Sequence, residues 1–280
     1  MASRIVEGLL SGLHRSPHRG FSVEFAEHRA YQPGDDLRFV DWRMFGRSDR
    51  YYVKQFEEET NLRCTLLLDL SASMDWSSDE RGGLPSKLWY AKQLTASLAL
   101  LLVRQGDAVG LTAFDEEVRL RIPAGGGRAH WHQLVQAVEA LPAGGRTETI
   151  GPLRDAASRM RRRGLVILIS DLLVDGEETR LALRMLRHRG HEVIVFHLMD
   201  PGELELPSVR AARFVDPETG EELPASAAEL REEYRRAVDR ALAEWRDGLA
   251  AEGMDHYLVE TDRPMALVLR HYLTRRASLG

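Results

Sequence analysis

Cys64-Thr65-Leu66-Leu67-Leu68-Asp69-Leu70-Ser71-Ala72-Ser73 is the stretch that decides how this 280-residue chain folds. The run from Cys64 to Leu68 reads as a strand buried on both faces, the kind that parallel sheets use. Asp69 then falls at the carboxyl end of that strand, and two hydroxyls follow in the connecting loop. Open α/β sheets bind ligands at that end. One carboxylate and two alternating hydroxyls form a cluster of hard oxygen atoms, a chemistry that suits Mg²⁺ or Mn²⁺.

Outward from this stretch, strand and helix patterns alternate. Leu165 to Ile169 is a second strongly buried strand and ends in Ser170-Asp171; Val193 to Phe196 is a third, and Tyr257 to Val259 a fourth. Leu84, Leu88, Ala91, Thr95, Leu98 and Leu102 recur at helical spacing, with Pro85 in the expected first turn. Further helices are expected around 134–141, over 150–163 with Gly164 as the stop, over 181–189, over 226–251, and over 264–274. Ala108 to Phe114 and Val118 to Ile122 flank Asp115-Glu116-Glu117 as a hairpin would. The pattern predicts an α/β domain, a doubly wound and mostly parallel sheet with helices on both faces.

The first sixty residues differ in texture. Strand-like alternation at Phe21 to Phe25 and Tyr51 to Phe56, with a turn signal at Pro33-Gly34-Asp35-Asp36, predicts a small β-rich lead-in. The expected organisation is 1–60 as this N-terminal segment and 61–280 as the main domain.

Composition narrows the setting. Hydrophobic residues make up 44% and charged residues 29%, a globular balance, and the net charge of −5 offers no basic footprint for nucleic acid. Cys64 is the single cysteine, so no internal disulfide forms, which favours a reducing compartment. Met1 to Leu13 lacks the charged start and cleavage site of a signal peptide. The apolar stretch from Leu94 to Val103 is too short to span a bilayer. The expectation is a cytoplasmic protein with no membrane insertion.

Three motifs follow one another in order: Asp69, Ser71 and Ser73 after the first buried strand; Gly144-Gly145-Arg146-Thr147-Glu148-Thr149 between two helices; and Ser170-Asp171 after the second buried strand. Taken singly, each has a plain structural reading. Asp and Ser cap helices and turns, and Thr147 is as well placed to cap the helix at Ile150. Taken together, they resemble the metal-ion-dependent adhesion site of von Willebrand factor A domains, a match covering about residues 63 to 200. The resemblance implies that Ser71 and Ser73 bind a divalent cation through their hydroxyls. Thr147 would bind directly or through water, and Asp69 and Asp171 would hold the metal's waters. Neutral hydroxyls leave much of the dication's charge unquenched, so a partner protein's Glu or Asp would complete the shell. Leu172 stands where such domains often have Gly, a departure that bears on the backbone geometry of that loop.

A second signature precedes the first motif: Glu24-Phe25, Arg29-Ala30-Tyr31, Pro33-Gly34-Asp35-Asp36, Arg38 and Asp41-Trp42, leading into Val53-Lys54 and Phe56-Glu57. This string is similar to the bacterial family catalogued as domain of unknown function fifty-eight. That family's members often carry upstream membrane helices, and this chain would be a soluble version. They are commonly encoded beside MoxR-type AAA+ ATPases, so the resemblance implies such an ATPase as partner. Read from the residues alone, these charges among aromatics are an ion-pair network pinning the segment, with Trp42 as a packing anchor, or else a docking surface.

The resulting reading is a non-catalytic, metal-dependent interaction module. The alternative is a phosphohydrolase of the haloacid dehalogenase type with Asp69 as nucleophile. That class resembles Asp-x-Asp at the first motif, where this chain has Ser71, and it needs a lysine that residues 163–171 do not supply. No phosphate-binding Gly-x-x-x-x-Gly-Lys loop and no nucleophile elbow occurs. His130-Trp131-His132 reads as the start of an exposed helix, Arg159 to Arg163 as a solvated helix end, and 230–249 as a surface helix laced with ion pairs.

Overall fold

The computed structural model describes residues 23–31, 40–48, 50–58, 62–79, 83–144, 150–160, 162–174, 176–206, 212–215, 222–225 and 227–278. The chain divides into two compact units, one at residues 17–62 and one containing residues 63–280.

In the smaller unit, β1 (Val23–Ala30) pairs antiparallel with β2 (Tyr52–Glu58), with a bulge between Phe25 and Glu27. Between them lies α1 (Trp42–Ser48). Asp41 caps it, its carboxylate accepting from the Met44 amide at 3.1 Å. Phe45 stacks on Tyr51 with ring centroids 4.4 Å apart. Trp42, expected as the packing anchor, is 59% exposed and meets Phe45 only edge-on. Among the described residues of this unit, the apolar side chains of Val40 and Val53 are buried. The expected turn at Pro33 to Asp36 and the charge of Arg38 lie outside the described residues.

The larger unit runs β3 (Arg63–Asp69), α2 (Lys87–Arg104), β4 (Ala108–Phe114), β5 (Val118–Gly125), α3 (Gly127–Ala140), α4 (Ile150–Arg159), β6 (Leu165–Ser170), α5 (Gly176–His188) and β7 (Glu192–Met199). A short hairpin of β8 (Ala212–Val215) and β9 (Glu222–Ala225) follows, then α6 (Ala227–Ala251), β10 (Asp255–Glu260) and α7 (Met265–Ser278). The main sheet has the order β10-β7-β6-β3-β4-β5. All its neighbours are parallel except β4 and β5, the expected antiparallel hairpin.

Leu66, Leu67 and Leu68 are all fully buried, as are Val166 to Ile169, because helices cover both faces. On one face Leu67, Val166, Leu168 and Val195 form a core with Leu153 of α4, Leu183 of α5 and Leu249 of α6. Phe196, adjacent to Val195 and therefore on the opposite face, meets Tyr272 of α7 with centroids 5.9 Å apart. On that side α2 packs against β3, β4, β6 and β7. The doubly wound, mostly parallel sheet with helices on both faces expected from the sequence is the fold that forms. Among the described residues, no helix is long and apolar enough to cross a membrane.

Three local expectations are corrected. α2 starts at Lys87, capped by Ser86 accepting from the Trp89 amide at 3.2 Å, so Pro85 precedes the cap and lies outside the first turn. α4 ends at Arg159, well short of Gly164. Gly164 serves a different need: a Cβ there would run into the carbonyl oxygen of Arg63 on the neighbouring strand. Trp131, expected on an exposed helix, is 9% exposed and anchors α3 to α2 by donating Nε1–H to the Ala96 carbonyl at 3.0 Å.

Candidate functional site

The strand order creates the site. From β3 the chain moves to β4 on one side, then returns through α4 to β6 on the other side of β3. The β3/β6 boundary is therefore the topological switch point, where the loops leaving the two strands part and open a crevice. Asp69 ends β3, Ser170 ends β6, and Asp171 is the first residue after it.

Asp69, Ser71, Ser170 and Asp171 are fully buried, and Ser73 is nearly so. Asp69 uses both carboxylate oxygens. Oδ1 accepts from the Ser71 amide at 2.9 Å and Oδ2 from the Ser170 hydroxyl at 2.6 Å. The first bond bends the chain directly after the strand, so the Ser71 and Ser73 hydroxyls meet, Oγ to Oγ, at 3.0 Å. A single 3₁₀ turn, Ala72–Asp75, follows and fixes Ser73 against Ser71. Leu70 ties in the Gly-rich loop, its carbonyl accepting from the Gly144 amide at 2.9 Å. Thr147, three residues further on, lies outside the described residues.

Burial pushes the Asp69 carboxyl up to about 7, and the neighbouring Asp171 adds to the shift, while the Ser170 and Ser71 hydrogen bonds pull the other way. The two carboxyl groups thus sit close enough in a buried site for one to oppose ionisation of the other. In the Asp171 loop, Leu173 donates its amide to Asp171 Oδ1 at 3.2 Å, and Leu172 donates to the Ser170 hydroxyl at 3.0 Å. Leu172 sits at φ 54, in the left-handed region that glycine tolerates and a leucine resists. The missing glycine is felt as backbone strain, which the burial of the Leu172 side chain in the core offsets.

The structure brings together Asp69, Ser71, Ser73 and Asp171 as expected, and adds residues that sequence reasoning missed. Lys87, at the first position of α2, is fully buried; its Nζ donates to Asp171 Oδ2 at 2.7 Å and also pairs with Glu203. Glu203 belongs to a helical turn, Pro201–Leu204, and forms a capping box with Asp200, accepting from the Asp200 amide at 2.8 Å. Asp-x-x-Glu at 200–203 is a readable capping signal. Nothing in the spacing of Lys87 announces its partners.

Lys87 also supplies, from a distant part of the chain, the lysine whose absence near Asp171 counted against the phosphohydrolase alternative. The first-motif objection stands, because Ser71 replaces the second Asp. Asp69 is moreover fully buried with both oxygens engaged, a poor arrangement for attack on phosphorus. Among the described residues no three His, Cys, Asp or Glu side chains converge as a metal cluster. Hydroxyls are the available donors. A cavity of about 470 Å³ lies at the opposite, amino-terminal ends of β3 and β6, lined by Arg63, Arg121, Arg159 and Arg162 among others, and touches none of the motif residues.

The architecture is a doubly wound α/β domain with its loops gathered at the switch point. The chain belongs to the family described as "Protein of unknown function DUF58", whose match covers residues 27–244. It is 30% identical over 277 residues to Uncharacterized protein Rv1480 of Mycobacterium tuberculosis, covering 97% of this chain and 85% of that protein. Among solved structures it is similar to an aerotolerance-related membrane protein from Bacteroides fragilis, at TM-score 0.53 and 16% identity, over 78% of this chain and 100% of that one. It is also similar to BatB from Bacteroides thetaiotaomicron, at TM-score 0.50 and 16% identity, over 78% of this chain and 99% of that one. At that identity the structural likeness speaks to the fold alone.

Proposed function

We propose that this chain is a non-catalytic, metal-dependent protein-interaction module. Ser71 and Ser73 would hold Mg²⁺ or Mn²⁺, with Thr147 as a direct or water-mediated third donor. Asp69 and Asp171 would hold the metal's waters, and a Glu or Asp of a partner protein would complete the coordination. The carrying observation is two buried hydroxyls 3.0 Å apart beside two fully buried carboxylates at the switch point. Oxygen donors of this hardness suit Mg²⁺ and Mn²⁺ and offer little to softer metals. Protein carboxylates that stay behind waters leave the dication short of anionic ligands, and that shortage is what an acidic partner group would fill. By family resemblance, the module serves as an adaptor for a MoxR-type AAA+ ATPase in the assembly or maturation of other proteins.

The test is a thermal-stability titration with Mg²⁺ and Mn²⁺ on wild type and on the Ser71→Ala/Ser73→Ala double variant. Wild type should be stabilised by about 2.7 kcal/mol at a hundredfold excess over Kd, and the double variant should not respond. Equal responses overturn the metal site. A generic aryl phosphate assayed with both ions tests the phosphohydrolase alternative, which metal-dependent turnover lost in Asp69→Asn would restore. Co-purification of the ATPase with and without chelator tests the adaptor role.

A further inference from the structure

A lysine in the first turn of a helix works against the helix dipole, and a fully buried one also loses its hydration. Lys87 accepts both costs. Its backbone is fixed, the amide donating to the Trp76 carbonyl at 3.3 Å at the start of α2. Its ammonium is held between Asp171 and Glu203. Burial alone would pull the ammonium down, yet the two carboxylates outweigh it and keep Lys87 charged. Glu203 is itself pinned by the Asp200 amide, and the Tyr234 hydroxyl donates to its backbone carbonyl at 2.7 Å.

We propose that Lys87 is a positioning residue that sets the charge of the site: it balances Asp171 before a dication arrives and keeps the loaded site receptive to a carboxylate. This rests on the metal-dependent reading above. The charges add simply. Asp69, Asp171 and Glu203 bring three negative charges when ionised, and Lys87 returns one positive charge. A dication cancels the remaining two, so the loaded site is neutral. Without Lys87, the same loaded site would keep one net negative charge and repel the anionic group it is meant to capture. Lys87 therefore weakens the grip on the metal and strengthens the grip on the acidic ligand. Glu203 is the second anchor that lets the ammonium stay near when Asp171 turns to the metal's waters.

The experiment measures Mn²⁺ binding by water-proton relaxation in wild type, Lys87→Met and Glu203→Gln, then titrates acetate into each loaded protein. Lys87→Met should bind Mn²⁺ tighter by about tenfold or more, and its loaded form should bind acetate several-fold more weakly. Glu203→Gln should bind Mn²⁺ more weakly, because it removes one negative charge and leaves the whole ammonium on Asp171. These opposite signs separate a charge effect from structural damage, and Glu203→Gln carries the test if Lys87→Met does not fold. Wild-type binding with Lys87→Met unchanged or weaker, or with Glu203→Gln tighter, overturns the role of Lys87 alone. No Mn²⁺ binding by any of the three proteins overturns the metal-dependent reading, and this inference with it.

Discussion

Ser170 Oγ donates a 2.6 Å hydrogen bond to Asp69 Oδ2, joining the carboxyl ends of β3 and β6 across the switch point. The same hydroxyl accepts the Leu172 amide at 3.0 Å, so one buried side chain orients the first-motif carboxylate and the third-motif loop together. Removing it would leave a buried acceptor and a buried donor each without that partner. Ser170→Ala should cost about 1–3 kcal/mol in urea unfolding at pH 8. It should also push the Asp69 carboxyl further up, because the Ser170 bond is one of the contacts holding it down. Stability within experimental error of wild type would mean that the bond is replaced or absent in solution.

Leu172 invites a comparison of two small residues at one position. Truncating a buried leucine to alanine costs about 2–5 kcal/mol. Glycine is ordinarily worse than alanine by about 0.5–1 kcal/mol through backbone entropy. At φ 54 the order should invert, because alanine keeps the Cβ strain that glycine relieves. Leu172→Gly should therefore be as stable as Leu172→Ala or more so, although both fall below wild type. A chemical-denaturation series in which alanine is clearly the better of the two would rule out the left-handed backbone here.

Continuous apolar runs made Leu66 to Leu68 and Val166 to Ile169 legible as central strands, and motif order then brought Asp69, Ser71, Ser73 and Asp171 to one crevice. Those signals are local, so one sequence carries them. Lys87 is separated from Asp171 by 84 residues and from Glu203 by 116, and no periodicity links positions that far apart. Its burial follows from where α2 begins, which the Ser86 cap sets and the Pro85 signal does not. Gly164 failed for a related reason. Glycine is both a helix stop and a residue for close approach, and only the position of the Arg63 carbonyl distinguishes the two uses. Trp42 reads as an anchor by residue type, yet its ring is largely exposed and meets Phe45 edge-on.

A histidine pair and a carboxyl group near the site respond to pH in opposite directions. His197, buried in β7 with its Nδ1 3.2 Å from His256 Nε2, is pushed down to about 3 by burial and by its histidine neighbour; burial and Arg246 push His256 down to about 4. Asp171 and Lys87 also face His197, one raising and the other lowering its affinity for a proton. Both rings are neutral when folded and take up protons on unfolding below about 6.5. Their contribution to stability is thus complete above that pH and is lost as pH falls through 4 and 3. Asp69 behaves in reverse. Raised to about 7, it holds a proton in the folded state that the unfolded chain has already released, so its contribution is present below about 4 and is lost as pH rises through 7. In chelator, wild type should lose stability on both limbs. Asp69→Asn should flatten the limb between pH 5 and 8, and His197→Gln should flatten the one between pH 6 and 4. Urea midpoints across that range measure both, and a slope left unchanged by its own substitution removes that residue from the account.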